Sequence, residues 1–349
     1  MAFTANAREW GSRVDAENTD GLDTVAIGGS QRRRIWLCAD DFGISPAVNT
    51  AIRDLVVRRR LNATSAMVVA PSFHRTEASA LDALNAAAPR VAIGLHVTLT
   101  APFRPLSKSF KPLREGAFPS LAAMAGRALM HQLEPDALAA EISCQLESFI
   151  DSFGHAPDFV DGHHHIHLFP QISDALLAVV AKTAPNVWLR QCGRAVPFAQ
   201  RFADRKGLAL DILSYRFRRR ATTLGLRTNP AFAGTYEFDD AADFAALFPR
   251  FLDRLPDGSV VMCHPGFVDA ELQRLDPRRR CERRNMSSSP AMTFRPCWRA
   301  TAWPWPERHC IPLVKREKNH RTVFVAAGHS AFMGVRLHDC RRGEEGGDQ

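Results

Sequence analysis

No apolar run in this 349-residue chain approaches the ~18 residues that a membrane-spanning helix requires. The first twenty residues, MAFTANAREWGSRVDAENTD, are polar and partly acidic and hold no apolar stretch of the signal-peptide kind. The expectation is neither a secretory signal nor an anchor, and a cytoplasmic location. No CxxC pair occurs among the eight cysteines, which argues against a cysteine zinc site. A GxSxG nucleophile elbow, a GxxxxGK[ST] phosphate loop, a GxGxxG fingerprint and an HExxH helix are also missing. Serine-elbow hydrolysis, P-loop phosphoryl transfer, dinucleotide redox chemistry and HExxH-type metalloproteolysis therefore lack their usual signatures.

About 46% of the residues are apolar and 23% charged, the balance of a soluble globular protein with a sizeable core. The net charge of +8 is unevenly placed. From Arg278 to the end there are 15 basic and 7 acidic residues, while the first 277 hold 30 of each. A neutral body argues against nucleic acid as the main ligand, although a basic tail can bind polyanions. Four cysteines are spread singly through the body and four crowd the tail. In a cytoplasmic protein these are expected to be reduced thiols.

Residues 1–30 show no sustained period and are expected to form a flexible leader. Ile35 to Ala39 then reads as a buried strand, and Ser45-Pro46 as a helix start with Ser as cap and Pro in the first turn. The alternation continues. Ala63 to Ala70, Val91 to Leu99, Phe159 to Asp161, Val187 to Arg190 and Ser259 to Cys263 read as strands. Glu77 to Ala88, Asp136 to Phe153, Ile172 to Ala184 and Ala241 to Leu255 read as helices. Residues 101–133 are Pro-rich and irregular, an insertion near the strand ends. Residues 193–238 resist assignment. Strands alternating with helices imply a parallel β/α fold, in which functional groups gather at the carboxyl ends of strands. Asp40, Asp41, His96, His163, Arg190 and His264 all fall at or just past such ends.

In Asp40-Asp41, one carboxylate can ligate a divalent metal while the other accepts a proton; the alternative is that one Asp caps the following turn. His96 lies opposite the apolar face formed by Ile93, Leu95 and Val97, a position also suited to a hydrogen-bonded core histidine. The run His163-His164-His165-Ile166-His167 is the most distinctive feature. Neutral imidazole is a common ligand of catalytic metals, but successive side chains diverge. One metal ligand is expected, with one or two supporting or substrate-facing groups. His264 is a candidate general acid or base, or a strand cap before a Pro-Gly turn. Arg190 can orient a carboxylate, bind substrate or pair on the surface.

CADDFG, GLHVTL, DGHHHIHLFP, TNPAFAG and MCHPG, in this order and spacing, resemble the YdjC-like carbohydrate deacetylases, which include the ChbG and HpnK groups. The resemblance covers roughly residues 32–276. It implies an irregular β/α (TIM-like) barrel, distantly similar to polysaccharide deacetylases, and removal of acetate from an N-acetylated carbohydrate. It also implies a divalent ion, magnesium first and zinc second, held by Asp41, His96 and His163. Asp40 would be the proton-accepting base and His264 the acid that protonates the leaving amine. His165, His167 and Arg190 would bind substrate. A homodimer is left open.

The resemblance ends near Pro277. Beyond it lie three of the six Trp, four of the eight Cys and the whole charge excess. The expected organisation is a leader over 1–30, a barrel over 31–277 and an atypical basic tail over 278–349. A reading-frame change in the gene would account for the tail, and a lineage-specific extension is the alternative. Two other functions compete with sugar deacetylation: metal-dependent hydrolysis of another amide or ester, and carbohydrate binding without catalysis.

Overall fold

The computed structural model describes residues 33–196, 201–202, 204–236 and 244–276. The leader and the basic tail lie outside the described residues. Among those described, no helix is long and apolar enough to cross a membrane.

Among the described residues, eight strands form one parallel sheet: β1 (Ile35–Phe42), β2 (Ala63–Ala66), β3 (Ala92–Val97), β4 (Phe159–Gly162), β5 (Trp188–Leu189), β6 (Arg227–Thr228), β7 (Phe232–Ala233) and β8 (Ser259–Cys263). Their order is β6-β5-β4-β3-β2-β1-β8-β7. The sheet curls until the chain beyond β5 meets β7. Arg194 bridges Phe232 in parallel, and the Phe232 amide donates to the Gly193 carbonyl at 3.0 Å. The parallel strands are those expected from the alternation of elements, and their curling gives the irregular α/β barrel that the family resemblance implies. Near the amino ends of the strands its interior is filled by stacked rings. Phe159 lies 4.5 Å from Trp188 and Trp188 lies 5.9 Å from Trp36, centroid to centroid.

The helices are α1 (Pro46–Val57), α2 (Arg75–Asp82), α3 (Leu121–Leu129), α4 (Pro135–Phe153), α5 (Ile172–Thr183), α6 (Arg205–Thr223), α7 (Phe244–Leu252) and α8 (Ala270–Leu275). Local chemistry explains their ends. Ser45 caps α1 by accepting from the Val48 amide, with Pro46 in the first turn. Gly154 closes α4 in the left-handed conformation, φ 79°.

Two segments depart from expectation. The irregular insertion contains α3, capped by Ser120 and anchored by buried Met124 and Ala128 one turn apart. The unassigned region contains α6, capped by Asp204. Its buried stripe is Gly207, Asp211, Ser214, Phe217 and Ala221, helical in spacing but mostly small or polar. The helix expected from Ala241 is described only from Phe244 onward.

Candidate active site

β1 runs past the expected Ala39 limit and carries both aspartates. Against β2, Ala39 pairs with Thr64 and Phe42 with Ala66, so one extra residue sits on β1. Asp41 takes up the slack at φ 67°. This bulge breaks the alternation that would send Asp40 and Asp41 to opposite faces.

Asp41 is fully buried. Its Oδ1 lies 3.0 Å from Nε2 of His96 and 2.9 Å from Nδ1 of His163. One ligand atom from each of these three residues lies within 4.8 Å of the others. His96 is held from behind: its Nδ1 is 2.6 Å from Asp161 and 3.0 Å from the Ser65 hydroxyl. A carboxylate behind an imidazole fixes the ring and aims the other nitrogen, as in many metal sites. His264 follows β8, and its Nε2 stands 3.9 Å from Oδ2 of Asp41.

Asp40 faces a second group. Nη1 of Arg190 donates to its Oδ2 at 2.6 Å and Nη2 to its Oδ1 at 2.7 Å. Nη2 also lies 2.6 Å from Oδ2 of Asp161 and 2.9 Å from the Cys38 sulfur. Burial favours the neutral acid at Asp40, but Arg190 outweighs it and holds the carboxyl well below the usual range. Burial raises the Cys38 thiol well above its ordinary value and keeps it neutral. For His96, burial favours the neutral ring; Asp161 and Asp41 prevail and push it up to about 10.

The histidine run fans outward. His164 and His165 adopt left-handed φ of 57° and 55°, at a cost of order 1–3 kcal/mol each. Successive rings then reach different targets. His163 meets Asp41. Nδ1 of His164 lies 3.1 Å from the Thr100 hydroxyl. Nδ1 of His165 lies 3.5 Å from the Cys192 sulfur, and burial lowers its ring to about 4. Nε2 of His167 lies 2.8 Å from the Arg190 carbonyl, and burial lowers that ring to about 3.

Two of the residues expected to bind substrate are engaged within the protein. His167 and Arg190 are both fully buried. His167 braces the backbone of Arg190, and Arg190 orients Asp40 and Asp161, one of the alternatives open from sequence. His165 is half-buried. A cavity of about 500 Å³ opens beside the cluster, lined by His163 and His164 with Pro102, Phe103, Ser120 and Leu121. Asp161, Ser65, Cys38 and His164 were not singled out from sequence. Asp161 had a signal: it ends an apolar strand and lies in register with His96.

The donor set fits a divalent cation. Asp41 offers oxygen, His96 and His163 offer nitrogen, and each comes from the end of a different strand. Counted with neutral histidines, the buried carboxylates of Asp40, Asp41 and Asp161 face, among the described residues of this cluster, the single guanidinium of Arg190. Two negative charges remain, a balance that a doubly charged ion completes.

Known proteins are similar to this chain in sequence and, in one case, in fold. The family model described as YdjC-like protein matches residues 34–294. A chitooligosaccharide deacetylase of Salmonella paratyphi B is 29% identical over 247 residues, spanning 66% of this chain and 81% of that protein. The chitooligosaccharide deacetylase of Salmonella typhi matches to the same extent. A crystal structure of a putative cellobiose-phosphate cleavage protein from Enterococcus faecalis shares the fold. It has a TM-score of 0.55 at 23% identity and covers 73% of this chain and 90% of that one. With three quarters of its length matched by the family model and motif residues of β3, β4 and β8 gathered around Asp41 of β1, the chain belongs to the YdjC-like protein family.

Proposed function

We propose that the protein hydrolyses the N-acetyl group of an N-acetylated sugar and releases acetate. The sugar is a chitooligosaccharide or the head group of a glycolipid or glycan. One observation carries the reading: Asp41, His96 and His163 converge beside an ionised Asp40 and within reach of His264. The relatives named chitooligosaccharide deacetylase supply the substrate class.

Asp41, His96 and His163 would hold the divalent ion, magnesium first and zinc second. When bound, such an ion polarises an amide carbonyl and lowers the pKa of water. Asp40 takes the proton of the attacking water as its oxygen bonds to the acetyl carbon. Arg190 keeps Asp40 ionised and fixed, so the acceptor needs no prior deprotonation near neutral pH. Asp161 and Ser65 hold His96 in one orientation. His264 gives a proton to the nitrogen as the C–N bond breaks, so the amine leaves neutral and acetate remains.

The test pairs metal analysis with acetate release. The purified chain, loaded in turn with magnesium and zinc, is offered a panel of N-acetylated sugars. Stoichiometric metal and acetate from at least one sugar are expected. Metal-loaded protein that releases no acetate from any of them would overturn the reading.

A further inference from the structure

In the histidine run, His164 is the exposed member. It lines the cavity next to His163, and its ring lies 3.8 Å from the His163 ring, centroid to centroid. Thr100, fully buried, holds its Nδ1 at 3.1 Å. The ring is thus fixed from two sides. Its backbone is left-handed at φ 57°, a conformation that a β-carbon disfavours and that persists where the surroundings enforce it. The strained backbone sets the His164 imidazole in the cavity wall beside His163, while His165 turns to Cys192 and His167 to the Arg190 carbonyl. The rest of the lining is largely apolar, with Pro102, Phe103 and Leu121 prominent. A sugar placed there meets few polar side chains, and His164 stands beside the metal-ligand candidates.

We propose that His164 is a substrate-binding residue whose imidazole hydrogen-bonds the sugar and fixes which ring presents its acetamide to Asp41, His96 and His163. The inference rests on the deacetylase reading for the identity of the ligand. Its test therefore reads affinity separately from turnover. N,N′-diacetylchitobiose is titrated into the full chain, in magnesium and in EDTA, and into His164→Ala, His164→Asn and Thr100→Val. Magnesium affinity and acetate release are measured on the same preparations.

His164→Ala is expected to weaken sugar binding about 10-fold and leave magnesium affinity within about 2-fold. His164→Asn tolerates the left-handed backbone and keeps a hydrogen-bonding group, so it should restore most of the affinity. Thr100→Val should fall between them. Unchanged sugar affinity in His164→Ala would sink the proposal. So would a loss of sugar and magnesium binding together, which marks mere support of His163, or an unaltered chain that does not bind the disaccharide. If binding depends on His164 but no acetate appears, the deacetylase reading fails and the His164 assignment stands.

Discussion

Arg190 grips Asp40 with two nitrogens, at 2.6 and 2.7 Å, in a space closed to solvent. The same guanidinium lies 2.6 Å from Asp161, which in turn holds His96. The proposed base and a metal-ligand candidate therefore share one cation. Asp40→Asn should cut acetate release by at least ~10²-fold and leave metal binding largely intact. Arg190→Ala leaves two buried carboxylates without their partner and should cost about 3–5 kcal/mol of stability. Urea unfolding and metal titration separate the two effects. Equal stability of Arg190→Ala and the unaltered protein would refute the shared role.

The raised His96 ring predicts how the metal-free protein responds to pH. A histidine whose folded pKa lies above its unfolded value contributes stability in full below about pH 6.5. That contribution is lost as pH climbs toward about 10. The EDTA-treated protein should unfold at lower urea at pH 9.5 than at pH 6.5. Metal ligation requires the neutral ring, so binding near pH 7 should release about one proton. Calorimetry in buffers of different ionisation enthalpy counts it, and a count of zero would contradict the assignment.

His264 is expected to matter in proportion to how much the leaving group needs a proton. His264→Ala should slow amide hydrolysis by about 10²-fold or more. It should slow an activated acetate ester much less, because that leaving group departs as an anion. Equal losses on both substrates would argue against the acid role.

Gly94 tests the floor beneath the site. A β-carbon there would lie 2.4 Å from the Phe159 ring, which is stacked on Trp188 and has little room to retreat. Gly94→Ala should destabilise the fold by about 1–3 kcal/mol. A urea midpoint equal to that of the unaltered chain would show that the ring stack yields.

Much of the barrel is legible in the sequence where apolar runs end in punctuation. Ser259–Cys263 and the Ser45-Pro46 helix start need only local rules. α6 escaped because its inward stripe is glycine, aspartate, serine and alanine around one Phe217, and their burial follows from what they meet. Asp211, for instance, is buried against Arg194. The site divides in the same way. Asp41, His96 and His163 stand out by their strand-end positions, and the family resemblance alone singles them out as one ligand set. The inward turn of His167 and Arg190 could not, since each is satisfied by a residue remote in sequence. Asp161 was visible as a strand-end acid, but its role depends on the register that sets it beside His96.

The extra residue in β1 bears on how portable the Asp-Asp motif is. A regular strand bearing the same dipeptide would point one acid into the barrel and the other toward the helices. No pair of neighbouring functional acids would result. Grafting this chemistry onto another scaffold therefore means copying a backbone irregularity as well as two side chains. The graft would span Ala39 to Phe42, and the adjoining strand would have to accept a shifted partner. Deleting a single residue from that stretch is expected to restore regular pleating and to separate Asp40 from Asp41 in one step.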